Sequence, residues 1–482
     1  MEAPRINPCL SLPIDKKIFS DLVDKTKDWA LMHGAGMRSK TNFNLDSLNF
    51  APFVLFPSSF PRSEFEKAIN IQIVLNELIH KVAHDHMFLT DTLSSTIKVD
   101  EFTKKLFEIY ECVYNEGFEQ DINLGLFRVD YLLDHCEQTS IKQVEMNTVS
   151  VSFAGACTQL TGLHRFVLQE LNRKDLLKNL PSNDALSGIC LGMLDAWKIY
   201  NNPFAVILFI VEDRTYNICD QRFHEFEIRR LNPNVTVIRK SLTQVYSQGS
   251  LTSKKQLMVD GYEVALVYFR SGYEPNQYHG KEEWDARLMM ERSVAIKCPS
   301  IHYHLAGTKK VQQALAQPKV LEKFIKDSKT VEMIRDTFTG LYSLDFTKEG
   351  EEAVEMAIND PEKFVLKPQR EGGGNNIYGK EVKDKILSMK NSEERMGWIL
   401  MDRIFPPVQA TYIIRPGTPV KHDETQDIVS ELGIFGCIIG DKDKIYVNRQ
   451  VGHMFRTKPC TANEGGVAGG VGCLDSPFLI DD

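Results

Sequence analysis

The segment KPQREGGGNNIYG, residues 367–379, is the most informative part of this chain. Its three consecutive glycines allow positive φ angles and a close approach of the backbone to a ligand. The residues FVLK at 364–367 predict a short strand, and residues 380–390 predict a polar helix. A glycine loop with Lys, Arg and Glu between a strand and a helix suits a polyphosphate, because backbone N–H groups and Lys hold phosphates and a carboxylate holds Mg²⁺.

The glycine loop by itself leaves a second interpretation open, that of a flexible surface turn. The segment lacks the Gly-Lys-Ser/Thr of a P-loop and the Gly-x-Gly-x-x-Gly of a dinucleotide site, which argues against a P-loop kinase. A simple spacer would be rich in Ser and Gly, without Lys, Arg and Glu beside the glycines. The charged neighbours therefore favour the phosphate-binding interpretation.

Length and composition restrict the class of protein. The 482 residues allow two or three domains, and 43% hydrophobic with 25% charged residues is ordinary for a soluble globular protein. A net charge of −8 argues against a nucleic-acid partner. The longest apolar run, residues 204–211, is shorter than the roughly 20 residues of a membrane span, so no membrane partner is expected. Ten scattered cysteines without a Cys-x-x-Cys pair indicate reduced thiols and a cytoplasmic location.

Hydrophobic patterns along the chain predict a mixed α/β protein. The first ~100 residues are mainly helical, and Ser63 with Glu66 predicts a capping box at one helix start. Strands alternate with helices over residues 204–306, including a helix over 282–297, which predicts a largely parallel α/β layer. Arg270 and Tyr273 follow its last strong strand, where such sheets usually bind ligands, although each alone could be a surface residue.

A predicted strand over residues 141–147 carries a possible cation site. Side chains two apart share one face of a strand, so Glu145 and Asn147 point the same way, as do Ser150 and Ser152 if the chain stays extended. One carboxylate and one amide oxygen suit a hard divalent cation. A solvent-facing side of the strand is the alternative.

Two other stretches carry groups that could bind an anion. Lys309 and Lys310 lie in a predicted first helical turn, against the helix dipole, which indicates either a nearby anion or a solvated pair. Residues 463–472 contain five glycines and one acid and follow the basic residues of 456–458. This stretch is either a lid over an anionic substrate or a flexible loop without function.

Together these stretches resemble the eukaryotic glutathione synthetase family. The matching segments follow the family's order from about residue 120 to the end, whereas the first ~100 residues match in length and helical character only. Residues 305–313 (LAGTKKVQQ) and 367–379 are the most specific. The other matching segments are VEMNTVSVSF (144–153), DQR (220–222), VYFRSGY (267–273), SELGIFG (430–436) and EGGVA (464–468).

The resemblance implies an ATP-grasp fold, of α/β (α+β mixed) class, in which the chain order is circularly permuted. Residues 1–203 and 307–482 would form the catalytic body, and residues 204–306 an inserted parallel α/β substrate-binding domain. Within the body, a helical N-terminal part would cover about 1–120 and a lid 456–472. The resemblance also implies a homodimer that joins γ-glutamylcysteine to glycine while ATP is cleaved to ADP and phosphate, through an acyl phosphate.

The resemblance also implies roles for individual residues. Two Mg²⁺ ions would be bound by Glu145, Asn147 and Glu371. ATP would be bound by Lys309, Lys367, Gly372, Gly373, Gly374, Asn376, Tyr378, Met401, Ile404, Glu431, Lys458 and Glu464. The peptide substrate would be bound by Arg128, Ser150, Ser152, Gln221, Arg270, Tyr273, Arg456, Val467 and Ala468. The catalytic residues would be Arg128, Lys309, Lys367 and Arg456.

Two positions depart from the family pattern. Thr215 stands where an acidic contact to the α-amino group of the substrate is expected, and Glu464 replaces an expected Asp near the nucleotide. Two alternative functions stay open. One is a sister ligase that accepts another amine, such as β-alanine or serine, and the other is a non-catalytic nucleotide-binding protein of the same fold. The intact set of metal and phosphate residues argues against the second.

Overall fold

The structure, a computed structural model, describes residues 4–135 and 139–481. Residues 1–3, 136–138 and 482, which fall in the predicted catalytic body, lie outside the described residues. The α-helices are α1 (Lys16–Met32), α2 (Arg62–Ala83), α3 (His86–Leu93), α4 (Glu101–Glu116), α5 (Ala154–Glu170), α6 (Ala185–Tyr200), α7 (Ile218–Leu231), α8 (Leu242–Gln248), α9 (Lys281–Glu291), α10 (Ile301–Ala306), α11 (Lys309–Leu315), α12 (Leu321–Phe324), α13 (Ser328–Thr337), α14 (Lys348–Asn359) and α15 (Lys380–Met389).

The strands form one large sheet and several smaller ones. They are β1 (Gly36–Met37), β2 (Asn49–Phe50), β3 (Phe53–Val54), β4 (Ser58–Pro61), β5 (Asn123–Asp134), β6 (Ser140–Asn147), β7 (Val206–Ile210), β8 (Val237–Lys240), β9 (Gly249–Leu251), β10 (Leu257–Val259), β11 (Tyr262–Phe269), β12 (Ile296–Cys298), β13 (Leu341–Ser343), β14 (Phe364–Pro368), β15 (Ile377–Tyr378), β16 (Trp398–Asp402), β17 (Gln409–Thr411), β18 (Ile413–Ile414), β19 (Gln426–Gly440), β20 (Ile445–Pro459), β21 (Cys473–Leu474) and β22 (Pro477–Ile480).

The large sheet has the strand order β18-β3-β21-β20-β19-β5-β6, with β17 also paired to β19. Its centre is the antiparallel pair β19–β20, and β5 pairs antiparallel along β19 on the other side. Strand β19 is buried on both faces, because Ile434 and Ile438 join the core that includes α2, while Phe435 and Cys437 join the core that includes α6. Side chains along β19 therefore alternate between the two cores. This alternation sets the register that brings the polar ends of β5, β19 and β20 together.

Two smaller sheets position the remaining parts of the site. In the first, β8, β7, β11 and β12 are parallel, and β9 and β10 continue it in antiparallel fashion beyond β11. Its side chains join the same two cores as the large sheet. The second sheet, β13-β16-β14-β15, is antiparallel and packs with α14 and α15 around a small core of its own. The division into a body and an inserted domain at residues 204–306 stays a prediction.

The local pattern around the glycine loop is confirmed. Strand β14 precedes it and helix α15 follows it, as predicted. The tight turn at Asp260-Gly261 joins the antiparallel strands β10 and β11. Both of its residues have positive φ, 51° and 79°, which is the conformation that such a two-residue hairpin needs. No helix among residues 4–135 and 139–481 combines the length and the apolar character needed to cross a bilayer.

Two local predictions were wrong. Helix α2 begins at Arg62 with Pro61 at its N-cap and no side-chain cap, so Ser63 is already helical and forms no capping box with Glu66. The helix predicted over 282–297 ends at Glu291. The residues after it form β12, which pairs parallel with β11. The sheet therefore overrides the helical pattern of this stretch, as tertiary pairing often does.

Candidate active site

A cavity of about 1540 Å³ is lined by the large sheet, the ends of β7 and β11, and the glycine loop that follows β14. Two predicted residues, Lys309 and Gly374, lie outside its lining. The lining brings together the other predicted site residues, which are Arg128, Glu145, Asn147, Ser150, Ser152, Gln221, Arg270, Tyr273, Lys367, Glu371, Gly372, Gly373, Asn376, Tyr378, Met401, Ile404, Glu431, Arg456, Lys458, Glu464, Val467 and Ala468.

Lys309 joins two carboxylates that come from distant parts of the chain. It is the first residue of α11, and its Nζ lies 3.1 Å from Oε2 of Glu145 on β6 and 2.8 Å from Oε1 of Glu371 after β14. The lysine is only 4% exposed. Burial disfavours its charge, but the two carboxylates outweigh burial and raise the pKa of the ammonium. Lys309 is therefore a fixed positive charge beside the cavity, and the anion near this helix start is a pair of carboxylates.

The two carboxylates have different protonation behaviour. Burial raises the pKa of Glu145, but Lys309, Lys367 and two arginines together outweigh burial and hold that pKa well below its usual range. Burial also raises the pKa of Glu371, and there it prevails over the attraction of Lys309. Two carboxylates around one ammonium leave an excess of acceptor oxygens that a divalent cation could use.

Lys367 and Asn147 complete this end of the cavity. Lys367 is buried, its Nζ donates to the carbonyl of Val144 at 2.8 Å, and burial lowers its pKa. The amide nitrogen of Asn147 donates to the carbonyl of Arg128 at 3.1 Å and to Asp130 at 3.0 Å. Among the described residues, the amide oxygen of Asn147 accepts no hydrogen bond, so it stays available as a ligand.

Arg128 and Arg456 are each fixed by a buried carboxylate. Arg128 donates from two nitrogens to Asp130, at 2.6 and 2.8 Å, and Arg456 donates to Glu431 at 2.5 Å. Asp130 is completely buried and also lies 3.9 Å from Arg456. Sequence analysis missed Asp130. It follows Arg128 by two residues on β5, so the rule that such side chains share a face could have found it.

Arg270 follows β11 and is oriented from two sides. It donates to Asp220 at 3.2 Å, and to the carbonyl and hydroxyl oxygens of Ser150 at 2.7 and 2.6 Å. Asp220 is another residue to which sequence analysis gave no role. The chain does not stay extended through Ser150 and Ser152, which was the condition for a shared face, because β6 ends at Asn147 and Ser150 has φ of 54°. This turn carries the Ser150 oxygens to the arginine.

The two glycine-rich stretches meet through one side chain. Gly372, Gly373 and Gly374 have φ of 89°, 74° and 80°, a conformation that side chains resist. Glu464, from the second stretch, accepts hydrogen bonds from the backbone N–H of Gly374 and of Asn376, the latter at 3.1 Å. The second stretch therefore contacts the first directly, although some 90 residues separate them in sequence.

Arg456 and Lys458 belong to β20, not to the loop that was predicted to begin at residue 456. Burial lowers the pKa of Lys458. Thr457 lies between them, and its hydroxyl donates to Asp475 at 2.5 Å. Asp475 also accepts from Ser58 at 2.6 Å, and burial raises the pKa of this carboxyl to about 7. This buried network, which sequence analysis missed, holds the strand behind the two cations.

Comparison with known proteins places this fold in the ATP-grasp class and the chain in one family. The family model described as eukaryotic glutathione synthase, ATP binding domain, matches residues 16–479. The chain therefore belongs to the eukaryotic glutathione synthase family. The predicted fold class and the resemblance noted in the sequence are both confirmed.

Several relatives match over nearly their whole length. Glutathione synthetase of Xenopus laevis is 45% identical over 97% of this chain and 98% of its own. The Homo sapiens protein is 42% identical over 98% and 99%, and the chloroplastic glutathione synthetase of Arabidopsis thaliana is 41% identical over 97% and 86%. A solved structure, a glutathione synthetase-like effector (GSS30) of Globodera pallida in its apo form, has a TM-score of 0.77 at 23% identity and covers 97% of this chain and 98% of its own. That likeness supports the fold.

Proposed function

We propose that this cavity is where γ-glutamylcysteine is joined to glycine while ATP is cleaved to ADP and phosphate. The chain is a glutathione-forming ligase by its family, and ATP is its co-substrate. The observation that carries the proposal is Lys309, held between Glu145 and Glu371 in reach of the cavity that the arginines also line. A phosphate site and carboxylate-binding groups in one cavity are what phosphoryl transfer to a carboxylate requires.

The part of the cavity that would bind the ATP phosphates, here called the phosphate half, contains the buried lysines and the glycine loop. Lys309 and Lys367 would neutralise the ATP phosphates, and the N–H groups of the glycines at 372–374 would cover them. The rest of the nucleotide would lie against Asn376, Tyr378, Met401, Ile404, Glu431, Lys458 and Glu464, all of which line the cavity.

The part of the cavity that would bind the peptide substrate, here called the peptide half, contains the arginines that are paired with carboxylates. Arg128 and Arg270 are buried and Arg456 is partly buried, and the existing carboxylate partners of all three fix their orientation before substrate arrives. Such preorganised guanidinium groups bind substrate carboxylates with little loss of side-chain freedom. The other contacts to the peptide would come from Ser150, Ser152, Gln221, Tyr273, Val467 and Ala468, which line the same cavity.

The reaction would proceed in two steps. An oxygen of the cysteinyl carboxylate attacks the γ-phosphorus of ATP, and ADP leaves. The amine of glycine then attacks the carbonyl carbon of the acyl phosphate, loses a proton and displaces phosphate. Arg128 and Arg456 would hold the reacting carboxylate, and the two lysines would stabilise the charge on the transferred phosphoryl group.

Mg²⁺ fits the donor set at this site. Two carboxylates and the unbonded amide oxygen of Asn147 are all-oxygen ligands, and the ammonium of Lys309 now lies between Glu145 and Glu371 as the counterion. No group of three or more His, Cys, Asp or Glu side chains suited to a metal occurs among the described residues, so the third ligand would be the asparagine. We propose two Mg²⁺ ions, which when bound would neutralise the charge of the phosphates.

The stretch after β20 would act as the lid. Its Glu464 already binds the backbone of the phosphate loop, so closure over the peptide and ordering of the phosphate loop would be linked. An acyl phosphate hydrolyses in water, and a closed lid would protect it until glycine attacks.

Release of ADP, coupled to a spectrophotometric assay, tests the proposed function. Purified protein with γ-glutamylcysteine, glycine, ATP and Mg²⁺ should release ADP and form the tripeptide, and no ADP release would contradict the proposal. Turnover with β-alanine and with serine in place of glycine tests the amine. The relatives, all named glutathione synthetases, do not favour another amine or a non-catalytic protein.

We also propose that the chain forms a homodimer and acts in the cytoplasm. The described cysteines are free thiols, as expected for a reducing compartment. Sedimentation equilibrium would give the mass of the assembly, and a monomer at micromolar concentration would contradict the first proposal. Localisation of a fluorescent fusion would test the second, and a plastid or secretory location would contradict it.

A further inference from the structure

Most carboxylates that line the cavity already have partners. Three are ion-paired, with Glu145 and Glu371 on Lys309 and Glu431 on Arg456. The other bound carboxylates are Glu464, which accepts from the backbone of the phosphate loop, and Asp402, which accepts from Gly340 N–H and from the Tyr342 hydroxyl. Among the described lining residues, Glu212 and Glu274 are the remaining carboxylates, and each has no ion pair and is hydrogen-bonded by a side-chain amide, from Gln277 and Asn276 respectively.

Gln277 links the carboxylate of Glu212 to the backbone of Glu274. Its amide nitrogen donates to Oε1 of Glu212 at 2.8 Å, and its amide oxygen accepts from the backbone N–H groups of residues 272–274, including Glu274 at 3.2 Å. Burial, and then the charge of Glu212, raise the pKa of Glu274, against opposition from Asn276 and Lys40. The two negative charges therefore repel each other across this end of the cavity, and a cation between them would relieve the repulsion.

Glu274 also lies at the junction with the phosphate loop. A Cβ atom built on Gly372 would lie 2.0 Å from Oε1 of Glu274 and 3.6 Å from the ring of Tyr273. The carboxylate thus occupies the space that a side chain at residue 372 would need. Glu274 is partly buried, and Glu212 is exposed at the edge of the cavity.

Two neighbouring observations indicate the kind of ligand. Thr215, the position where an acidic contact was expected, is buried and neutral, and its hydroxyl donates to the carbonyl of Glu212 at 3.2 Å. Nearby, Arg270 is 7% exposed, and its Nε has no hydrogen-bond partner in the described part of the chain. A guanidinium donor without a partner, beside two carboxylates that have no ion pair, matches a ligand that carries both a carboxylate and an ammonium group.

We propose that Glu212 and Glu274 bind the α-ammonium group of the peptide substrate and determine specificity for it. They replace the acidic contact that Thr215 lacks, and Nε of Arg270 donates to the adjacent α-carboxylate. The inference rests on the proposed function, since it assumes that a γ-glutamyl peptide enters this half of the cavity. It adds that the carboxylates that recognise the ammonium come from the end of β7 and from the turn after β11.

The test compares γ-glutamylcysteine with its analogue that lacks the α-amino group, glutarylcysteine. Full-length Glu274→Gln and Glu212→Gln keep the size of the side chain and remove its charge. Each should raise the KM for γ-glutamylcysteine about tenfold, the loss expected for one charge-assisted hydrogen bond, with kcat near wild type. The KM for the analogue should not change. Asp213→Asn, which removes an exposed charge next to Glu212 outside the cavity lining, is the matched control and should change neither KM.

Three outcomes would overturn the inference. One is an equal rise in KM for both peptides, which would indicate a structural effect. Another is an unchanged KM for γ-glutamylcysteine in both variants. The third is a wild-type protein that binds the two peptides equally well in calorimetric titrations with a non-hydrolysable ATP analogue. A wild-type protein that releases no ADP with γ-glutamylcysteine and glycine would instead contradict the proposed function, so the two failures can be told apart.

Discussion

Replacement of Lys309 by methionine should separate the structural role of its ion pairs from the phosphate-binding role proposed for it. Lys309→Met keeps a long side chain but removes the buried ammonium that lies 3.1 and 2.8 Å from two partly buried carboxylates. Removal of one partner from a buried ion pair costs about 3–5 kcal/mol, because the charges that remain are unpaired. Against a usual free energy of unfolding of about 5–15 kcal/mol, this loss is large and should appear as a lower urea midpoint.

The loss should depend on pH in a defined direction. Without Lys309, the ionised forms of Glu145 and Glu371 become less favourable, so the pKa of each should rise, that of Glu145 from below its usual range and that of Glu371 from above it. The stability that a lowered pKa gives through Glu145 is present above the usual pKa of a carboxyl, and the variant loses it there. Stability that comes from a raised carboxyl pKa is present at low pH and is lost as pH rises through the folded-state pKa. The variant should therefore lose more stability relative to wild type at pH 8 than at pH 5.

The neighbouring residue gives a matched control. Lys310 is also buried and paired, with Asp345 at 2.6 Å and the Ser343 hydroxyl at 2.9 Å. Neither of these partners lines the cavity, whereas both carboxylates that hold Lys309 do. Lys310→Met should lose comparable stability and retain most of its turnover at temperatures where it is folded. Lys309→Met should lose about 10²–10³-fold in turnover, the cost of one donor to developing charge. Equal turnover losses in the two variants, measured by ADP release, would refute the phosphate role of Lys309.

Three other perturbations test other parts of the site. Gly373→Val should raise the KM for ATP at least tenfold, because φ of 74° strains a β-branched residue by about 1–3 kcal/mol. The control Gly280→Val, at an extended φ of −177°, should leave the KM for ATP unchanged. Equal KM values in the two variants would contradict close approach of the loop to ATP. Glu371→Ala should raise the Mg²⁺ concentration that gives half-maximal turnover, and an unchanged Mg²⁺ titration would remove Glu371 from the metal ligands. Asp475 has a folded-state pKa of about 7 against a usual 3.8, so its contribution to stability is present below pH 3.8 and is lost as pH rises to 7. Asp475→Asn should flatten this part of the profile of unfolding free energy against pH by up to about 4 kcal/mol, and an unchanged profile in thermal unfolding would contradict the raised pKa.

Local chemistry made part of the structure predictable. The strand, glycine loop and helix at 364–390 depend on φ preferences and on patterns within a few residues, and they were predicted correctly. The end of α9 depends on β11, and the turn at Ser150 delivers its oxygens to Arg270. Both are set by partners far away in sequence, which a local pattern cannot contain.

In the candidate site, too, contacts between residues far apart in sequence could not be predicted from local patterns. Each of Glu145, Lys309 and Glu371 could be proposed from its own motif, but the ion pairs that join them span 164 and 62 residues of chain. Asp130 was within reach of the sequence, since it shares a strand face with Arg128, whereas Asp475 was not, since nothing near it indicates Ser58 or Thr457. The resemblance to a family grouped these distant residues into one site, which local patterns could not do. It gave no role to Glu212 or Glu274.

The glycine loop at residues 372–374 contacts a different carboxylate at each of its two ends. At one end, the space beside Gly372 is filled by Glu274 from the turn after β11, and at the other end Glu464 binds the N–H of Gly374. A carboxylate that moves toward a bound ammonium would leave room beside Gly372, and a lid that moves would release the N–H of Gly374 toward a phosphate. Both movements act on a backbone that only glycine can follow at these φ values. Occupancy of the peptide half would then change the geometry of the phosphate half through the loop itself, so the affinity for ATP should depend on whether the peptide carries its α-ammonium group.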